Sequence, residues 1–263
     1  PAITNGSTVS VGGGNIKIVK NNSKEFYALQ SDGGVVNVNM NVDKNAAGTA
    51  TTVIEGNISA YGEKANKAFD MDVTDSIINI GLADKQSSWT GTAFAKDLGT
   101  SGFPFKGIVN LYLANGATWN NEAWGKTNAA FEGSHVAKLA GGASEAAAGN
   151  IFQKDANSLT IDNYSGNTNI FYAHTGNGEA AENYAAGDTV IKHAAEGSVV
   201  SMITDNSGIA MDNAYSVANV LNALAGKLTY SNFVNGEKNL TGYVKIADGL
   251  TASSKAMQTG DIS

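Results

Sequence analysis

Short runs that alternate apolar and polar residues, each cut off by glycine or asparagine, constrain this chain more than any other feature. The clearest is Gly34-Val-Val-Asn-Val-Asn-Met-Asn-Val42, where Val36, Val38, Met40 and Val42 share one face and Asn37, Asn39 and Asn41 the other. Period-two alternation marks a strand with one side buried and the other polar. Further strands are expected at Thr8 to Val19 (broken by Gly12-Gly13-Gly14), Thr51 to Ile58, Phe69 to Val73, Ser76 to Leu82 and Gly107 to Leu113. Ser158 to Ile161, Asn169 to Tyr172, Thr189 to Ile191 and Ser198 to Ile203 continue the series.

Such short strands need many tight turns, and the 31 glycines and numerous asparagines supply residues that tolerate left-handed backbone. Segment centres such as Ile54 and Ile78 lie about 20–30 residues apart, the span of one coil of a β-solenoid. Asparagines on the polar faces fit the same reading, because stacked amides can bond along a ladder. Only two prolines occur, Pro1 and Pro104, as expected where stacked turns must keep donating their N–H groups. The expected fold is all-β, a β-solenoid forming a single unit over residues 1–263, with a sandwich or other all-β fold as the alternative.

Two stretches break the rhythm. Residues 129–150 are rich in alanine and glycine and read as a short helix or a loop leaving the coil axis; residues 84–106 are a second candidate protrusion. From Asp212 to Leu228 the period changes: Val217, Val220, Leu221, Leu224 and Leu228 fall on one helical face, with Asp212 or Asn213 as cap and Gly226 near the end. A helical insertion near 212–228 is therefore expected, packing its apolar stripe against the strands.

Charge narrows the function. All 17 basic residues are lysine and the net charge is −7. Nucleic-acid binders need clustered positive charge and favour arginine forks, so that class is excluded as an expectation, as are anionic membrane surfaces. No apolar run approaches the roughly 20 residues of a membrane-spanning helix. Cysteine is absent, which removes disulfides and thiolate chemistry and fits either a chain that never needed a cysteine or one exported unlocked. The chain opens at Pro1 without a basic and apolar leader, so any signal peptide is expected to lie outside it. Gly260-Asp-Ile-Ser263 reads as a cut through a longer polypeptide.

Catalytic constellations are faint. His135, His174 and His193 lack metal-ligand spacing, no serine occupies a nucleophile elbow, and Gly99-Thr-Ser-Gly102 lacks upstream partner segments. Asp70 and Asp72 share a strand face with Asp75 just beyond, a pair suited to weak calcium binding or acid–base work, with Lys64 and Lys67 as local cations. No cofactor is expected and the protein is read as a non-enzyme; a polysaccharide lyase or hydrolase built on those aspartates is the alternative, and a purely structural stalk a further one. Aromatic residues favour binding. All three tryptophans fall within one third of the chain, and Trp89, Phe103, Phe105, Trp119 and Trp124 are the candidate ligand contacts, with core packing as the competing role.

Gly107-Ile-Val-Asn-Leu-Tyr-Leu-Ala-Asn-Gly-Ala-Thr-Trp119 resembles the Leu-x-Leu-x-x-Gly-Ala-x-Trp signature of bacterial autotransporter passenger domains, the pertactin-like and self-associating adhesin group. Ser158 to Gly166 followed by Thr168 to Tyr172 is similar to another recurrent coil of that family. In these segments aliphatic residues would fill the lumen, Gly116 would permit the turn and Trp119 would seal a corner. The resemblance covers about a fifth of the chain; the helical segment departs from it. It implies a right-handed parallel β-helix displayed outside a Gram-negative outer membrane, or secreted, acting in adhesion and virulence. Its partners would be a host surface protein or glycan, or copies of itself, with a monomer in dilute solution.

Overall fold

The computed structural model describes residues 2–4, 7–61, 75–96, 106–174, 184–231, 239–247 and 256–262. Its strands form two large, interleaved parallel sheets and one smaller one. The smaller, sheet I, runs Ala2–Thr4, Tyr27–Asp32, Asn57–Tyr61 and Ala93–Lys96. Sheet II orders Thr8–Val11, Val35–Val38, Ser76–Leu82, Gly107–Leu113, His135–Ala140, Leu159–Ser165, Thr189–Ala194 and Leu228–Tyr230. Sheet III orders Gly14–Lys17, Thr52–Glu55, Ser88–Thr90, Thr118–Asn121, Gly149–Gln153, Asn167–Tyr172, Ser198–Asp205 and Leu240–Ala247, and closes on Ala256–Ile262. That last strand pairs antiparallel, as does a small hairpin of Met40–Asn41 with Ala46–Ala47. The chain visits sheets I, II and III in turn up to Asn121, then alternates II and III, so every circuit adds one strand beside its predecessor. The result is an all-β, repetitive, solenoid-like architecture with one α-helix among the described residues.

Parallel strands in constant register place chemically similar residues in columns. In sheet III one inward column runs Ile16, Ile54, Trp89, Trp119, Ile151, Ile170, Met202 and Val244. In sheet II the column Val38, Ile80, Leu111, Leu139 and Tyr164 faces the same interior. These residues belong to one continuous hydrophobic cluster. Burial of such side chains from water, roughly 1.5–3 kcal/mol each, is the main term holding successive circuits together. The spacing between stacked residues varies: 27, 42 and 31 residues separate Ser10, Asn37, Asn79 and Asn110. Ile54 and Ile78, whose separation looked like one coil in the sequence, occupy different sheets, and the partners of Ile54 are Ile16 and Trp89.

Trp89 and Trp119 stack face to face, with ring centroids 4.6 Å apart and planes 2° from parallel. Each indole N–H donates to the carbonyl of a glycine from the preceding circuit, Trp89 to Gly56 at 3.0 Å and Trp119 to Gly91 at 3.0 Å. Both glycines are left-handed (φ 146° and 151°), and a Cβ on Gly91 would sit 2.1 Å from the Gly56 oxygen. Glycine is required there because the backbone of one circuit rests directly on the next.

Several local expectations change. The alternation of 34–42 stops at Asn39, which is left-handed at φ 49°; the chain turns out of sheet II there, and Val42 is 61% exposed. Thr51 to Ile58 is two strands of two sheets, bent at Gly56. Residues 129–150 hold the sheet II strand His135–Ala140 and a 3-10 turn, Glu145–Ala147, instead of an α-helix. Within 84–106, Ser88–Thr90 and Ala93–Lys96 are ordinary strands of sheets III and I, and 97–105 lies outside the described residues. Phe69 to Val73 also lies outside them. The helix expected near 212–228 is Ala214–Ala225, capped by the Asn213 side chain and burying Val217, Val220 and Leu224. Leu228 has already left it for sheet II.

Candidate functional site

The outward side of sheet II changes character along its length. At its N-terminal end, the Asn37 side-chain amide donates to Ser10 Oγ at 3.3 Å, Asn79 to Asn37 Oδ1 at 2.8 Å and Asn110 to Asn79 Oδ1 at 2.8 Å. This is the amide ladder expected from the sequence. The next residues in register are Lys138, Asn163 and His193. Strict alternation fails here: in Leu159–Ser165 the buried positions are Leu159, Ile161 and Tyr164, and in Thr189–Ala194 they are Thr189, Ile191 and Ala194. Two neighbouring side chains, Asp162 with Asn163 and Lys192 with His193, therefore both point away from the interior.

Crowding charged groups onto this face forces them to pair. His135 Nε2 lies 2.7 Å from Asp162 Oδ2, and Lys192 Nζ lies 2.8 Å from Asp162 Oδ1. Partial burial alone would raise the Asp162 carboxyl, but Lys192 and His135 outweigh it and hold the group below the ordinary aspartate value. Lys138 avoids like charges by reaching Tyr112, its Nζ 4.9 Å from the ring centre and 3.2 Å from the hydroxyl.

Beside this cluster lies a groove of about 310 Å³, lined by residues that include Phe94, Lys96, Glu132, Ser134, His135, Thr160 and Lys192. It opens where sheet I stops, since Ala93–Lys96 is that sheet's last strand among the described residues. Its floor is fixed by Ser134, whose hydroxyl accepts the Ala93 N–H at 3.0 Å and donates to Asn121 Oδ1. Gly133, at φ 128°, lies so near the Ser158 carbonyl that an added Cβ would stand 2.1 Å from its oxygen.

The aromatic residues expected to contact ligand are placed differently. Trp89 and Trp119 are fully buried and stacked, so their rings fill the interior and offer no surface to a partner. Trp124 is held against the first circuits: its indole donates to the Ile18 carbonyl at 3.1 Å, its backbone N–H to Asn57 Oδ1 at 2.9 Å, and Lys20 sits 5.2 Å above its ring. Phe103 and Phe105 lie outside the described residues, as do Asp70, Asp72, Lys64, Lys67 and Gly99 to Gly102. Asp75 accepts the Lys106 backbone N–H at 2.9 Å.

His174 is a buried, paired side chain: 2% exposed, its Nε2 is 3.0 Å from Asp205 Oδ1, and the ring meets Tyr184 edge-on. Burial pushes the Tyr184 hydroxyl up to about 12. Among the described residues no group of three or more His, Cys, Asp or Glu side chains is placed to hold a metal ion. The groove itself escaped the sequence reading, because its residues come from separate circuits; the paired outward residues Asp162-Asn163 and Lys192-His193 were the available signal. Protein-family models, curated proteins and solved structures yield no match to the chain.

Proposed function

We propose that the chain is a section of a right-handed parallel β-helix, a passenger segment of the autotransporter kind, acting at the bacterial cell surface as a non-enzymatic adhesin. Its partner is a host surface molecule or a second copy of itself, engaged through a lateral face of the stack. The observation that carries this reading is the outward face of sheet II, where a regular polar ladder gives way to an open, pre-ordered groove. A repetitive scaffold holds such side chains at fixed spacing without a mobile loop, which lowers the entropic cost of binding. The groove also favours a binding section over a featureless stalk.

The test is an array of host glycans and surface proteins probed with the purified chain, scored for retained binding and for loss of the immobilised ligand. Sedimentation over a wide concentration range is run in parallel. Saturable binding with the ligand intact, or concentration-dependent self-association, is expected. Degradation of an immobilised polysaccharide would overturn the adhesin reading in favour of a carbohydrate-active enzyme.

A further inference from the structure

We infer that the groove between Ala93–Lys96, the segment 130–135 and the strand ends at Ser158–Thr160 and Lys192 is a saccharide subsite taking a neutral, polyhydroxylated ring. This rests on the reading of the chain as a binding module and deepens it by naming the chemical class recognised.

Charge balance is the first argument. Lys192 is neutralised by Asp162 at 2.8 Å, and Asp162 also engages His135 at 2.7 Å. Among the described residues, that leaves Lys96 and Glu132 as the other charged side chains lining the groove. One cation and one anion do not select a strongly charged ligand of either sign, which would meet repulsion from one of them. They do suit a ligand carrying both donors and acceptors on neighbouring atoms. A sugar hydroxyl donates to a carboxylate and accepts from an ammonium, and hydrogen bonds to charged groups are the stronger kind.

The remaining lining agrees. Thr160 and Ser158 bring further polar groups, while Ala95 and Ala130 supply apolar surface that can meet the C–H face of a pyranose, above a Phe94 ring that is itself buried against Tyr61. The volume of about 310 Å³ lies at the small end of ligand sites, which run from about 300 to 1,000 Å³. Finally, the site is already ordered: Ser134 is bonded on both sides, and Gly133 is pressed against the Ser158 backbone. Little freedom remains to be lost on binding.

The experiment uses the whole chain and soluble cellotriose, chitotriose and maltotriose, read by saturation-transfer NMR and calorimetry. Sialyllactose serves as the acidic comparison. The variants are Lys96→Met and Glu132→Gln, with Lys20→Met as a distant control and thermal unfolding as the check on folding. The expected result is saturable binding of at least one neutral trisaccharide, weakened about tenfold or more by Lys96→Met and by Glu132→Gln, and unchanged by Lys20→Met. Preference for sialyllactose, or neutral-sugar binding indifferent to both groove variants, would overturn the assignment while leaving surface adhesion standing. If no saccharide binds but a protein ligand is retained on the array, or the chain self-associates on sedimentation, the subsite is wrong and the adhesin reading survives; if all three are blank, both fail.

Discussion

The two ends of sheet II solve one problem in different ways. At Ser10, Asn37, Asn79 and Asn110 the outward column is hydroxyl and amide, and each asparagine donates to the residue one strand before it. At Lys138, Asn163 and His193 the same column is mixed: Lys138 reaches Tyr112, Asn163 donates to the Ala137 carbonyl at 3.1 Å, and beside the column the outward residues His135 and Lys192 pair with Asp162. An amide is both donor and acceptor, so identical copies can stack at the interstrand distance, about 4.8 Å. Like charges at that spacing repel, so they need intervening partners of opposite sign. The first solution gives a uniform stripe. The second gives a varied surface able to discriminate between ligands.

The largest effect is expected where the two ends share a common interior. Trp119→Ala removes half of the indole stack and leaves the Gly91 carbonyl without its donor; a loss of about 3–5 kcal/mol in denaturant unfolding is expected. A loss under about 1 kcal/mol would mean that the column is not continuous at this point.

Asn79→Ala attacks the ladder alone. It leaves the Asn110 amide N–H and the Asn37 oxygen without their partners, at about 1–3 kcal/mol, and the loss should be the same at pH 4 and pH 7 because no member ionises. A marked pH dependence would show that the ladder is not what stabilises this end.

The smallest change is Asp162→Asn, about 0.5–1 kcal/mol near neutral pH, since the pair is partly exposed. The native Asp162 carboxyl lies below its ordinary 3.8, so the stabilisation is present above that value and disappears as pH falls through the lower native one. Wild type and variant should therefore converge toward pH 3 and diverge by pH 7. High salt should shrink the gap as well. A gap that persists in acid would mean that Asp162 acts through packing.

The strand content was legible from the sequence because alternation reports burial directly, and most segments predicted from it lie within strands. The helix was legible for the corresponding reason, with Asn213 capping and Val217, Val220 and Leu224 buried. Sheet membership was not. Alternation continues smoothly through Gly56, and nothing local says that Ile54 and Ile58 belong to different sheets. Nor does composition separate an indole that fills the interior from one that meets a ligand; Trp89 and Trp119 needed their register partners to be placed. The groove depends on Lys96, Glu132 and Lys192 meeting from distant circuits, so no short motif could announce it.

The clustering of indoles has a practical consequence for anyone following this protein by light. None of the three tryptophans lies beyond residue 124, and two of them are fully buried against each other. Fluorescence excited selectively at tryptophan is therefore a gauge of the earlier circuits only, and the helix and the last strands, which carry tyrosines such as Tyr215 and Tyr243 but no tryptophan, are silent in it. Stacked repeats can come apart in sections. A melt followed at the tryptophans and one followed by far-ultraviolet dichroism would superimpose only if the whole stack opens as a unit; a displaced pair of curves would locate the seam between the amide-lined and charge-lined ends.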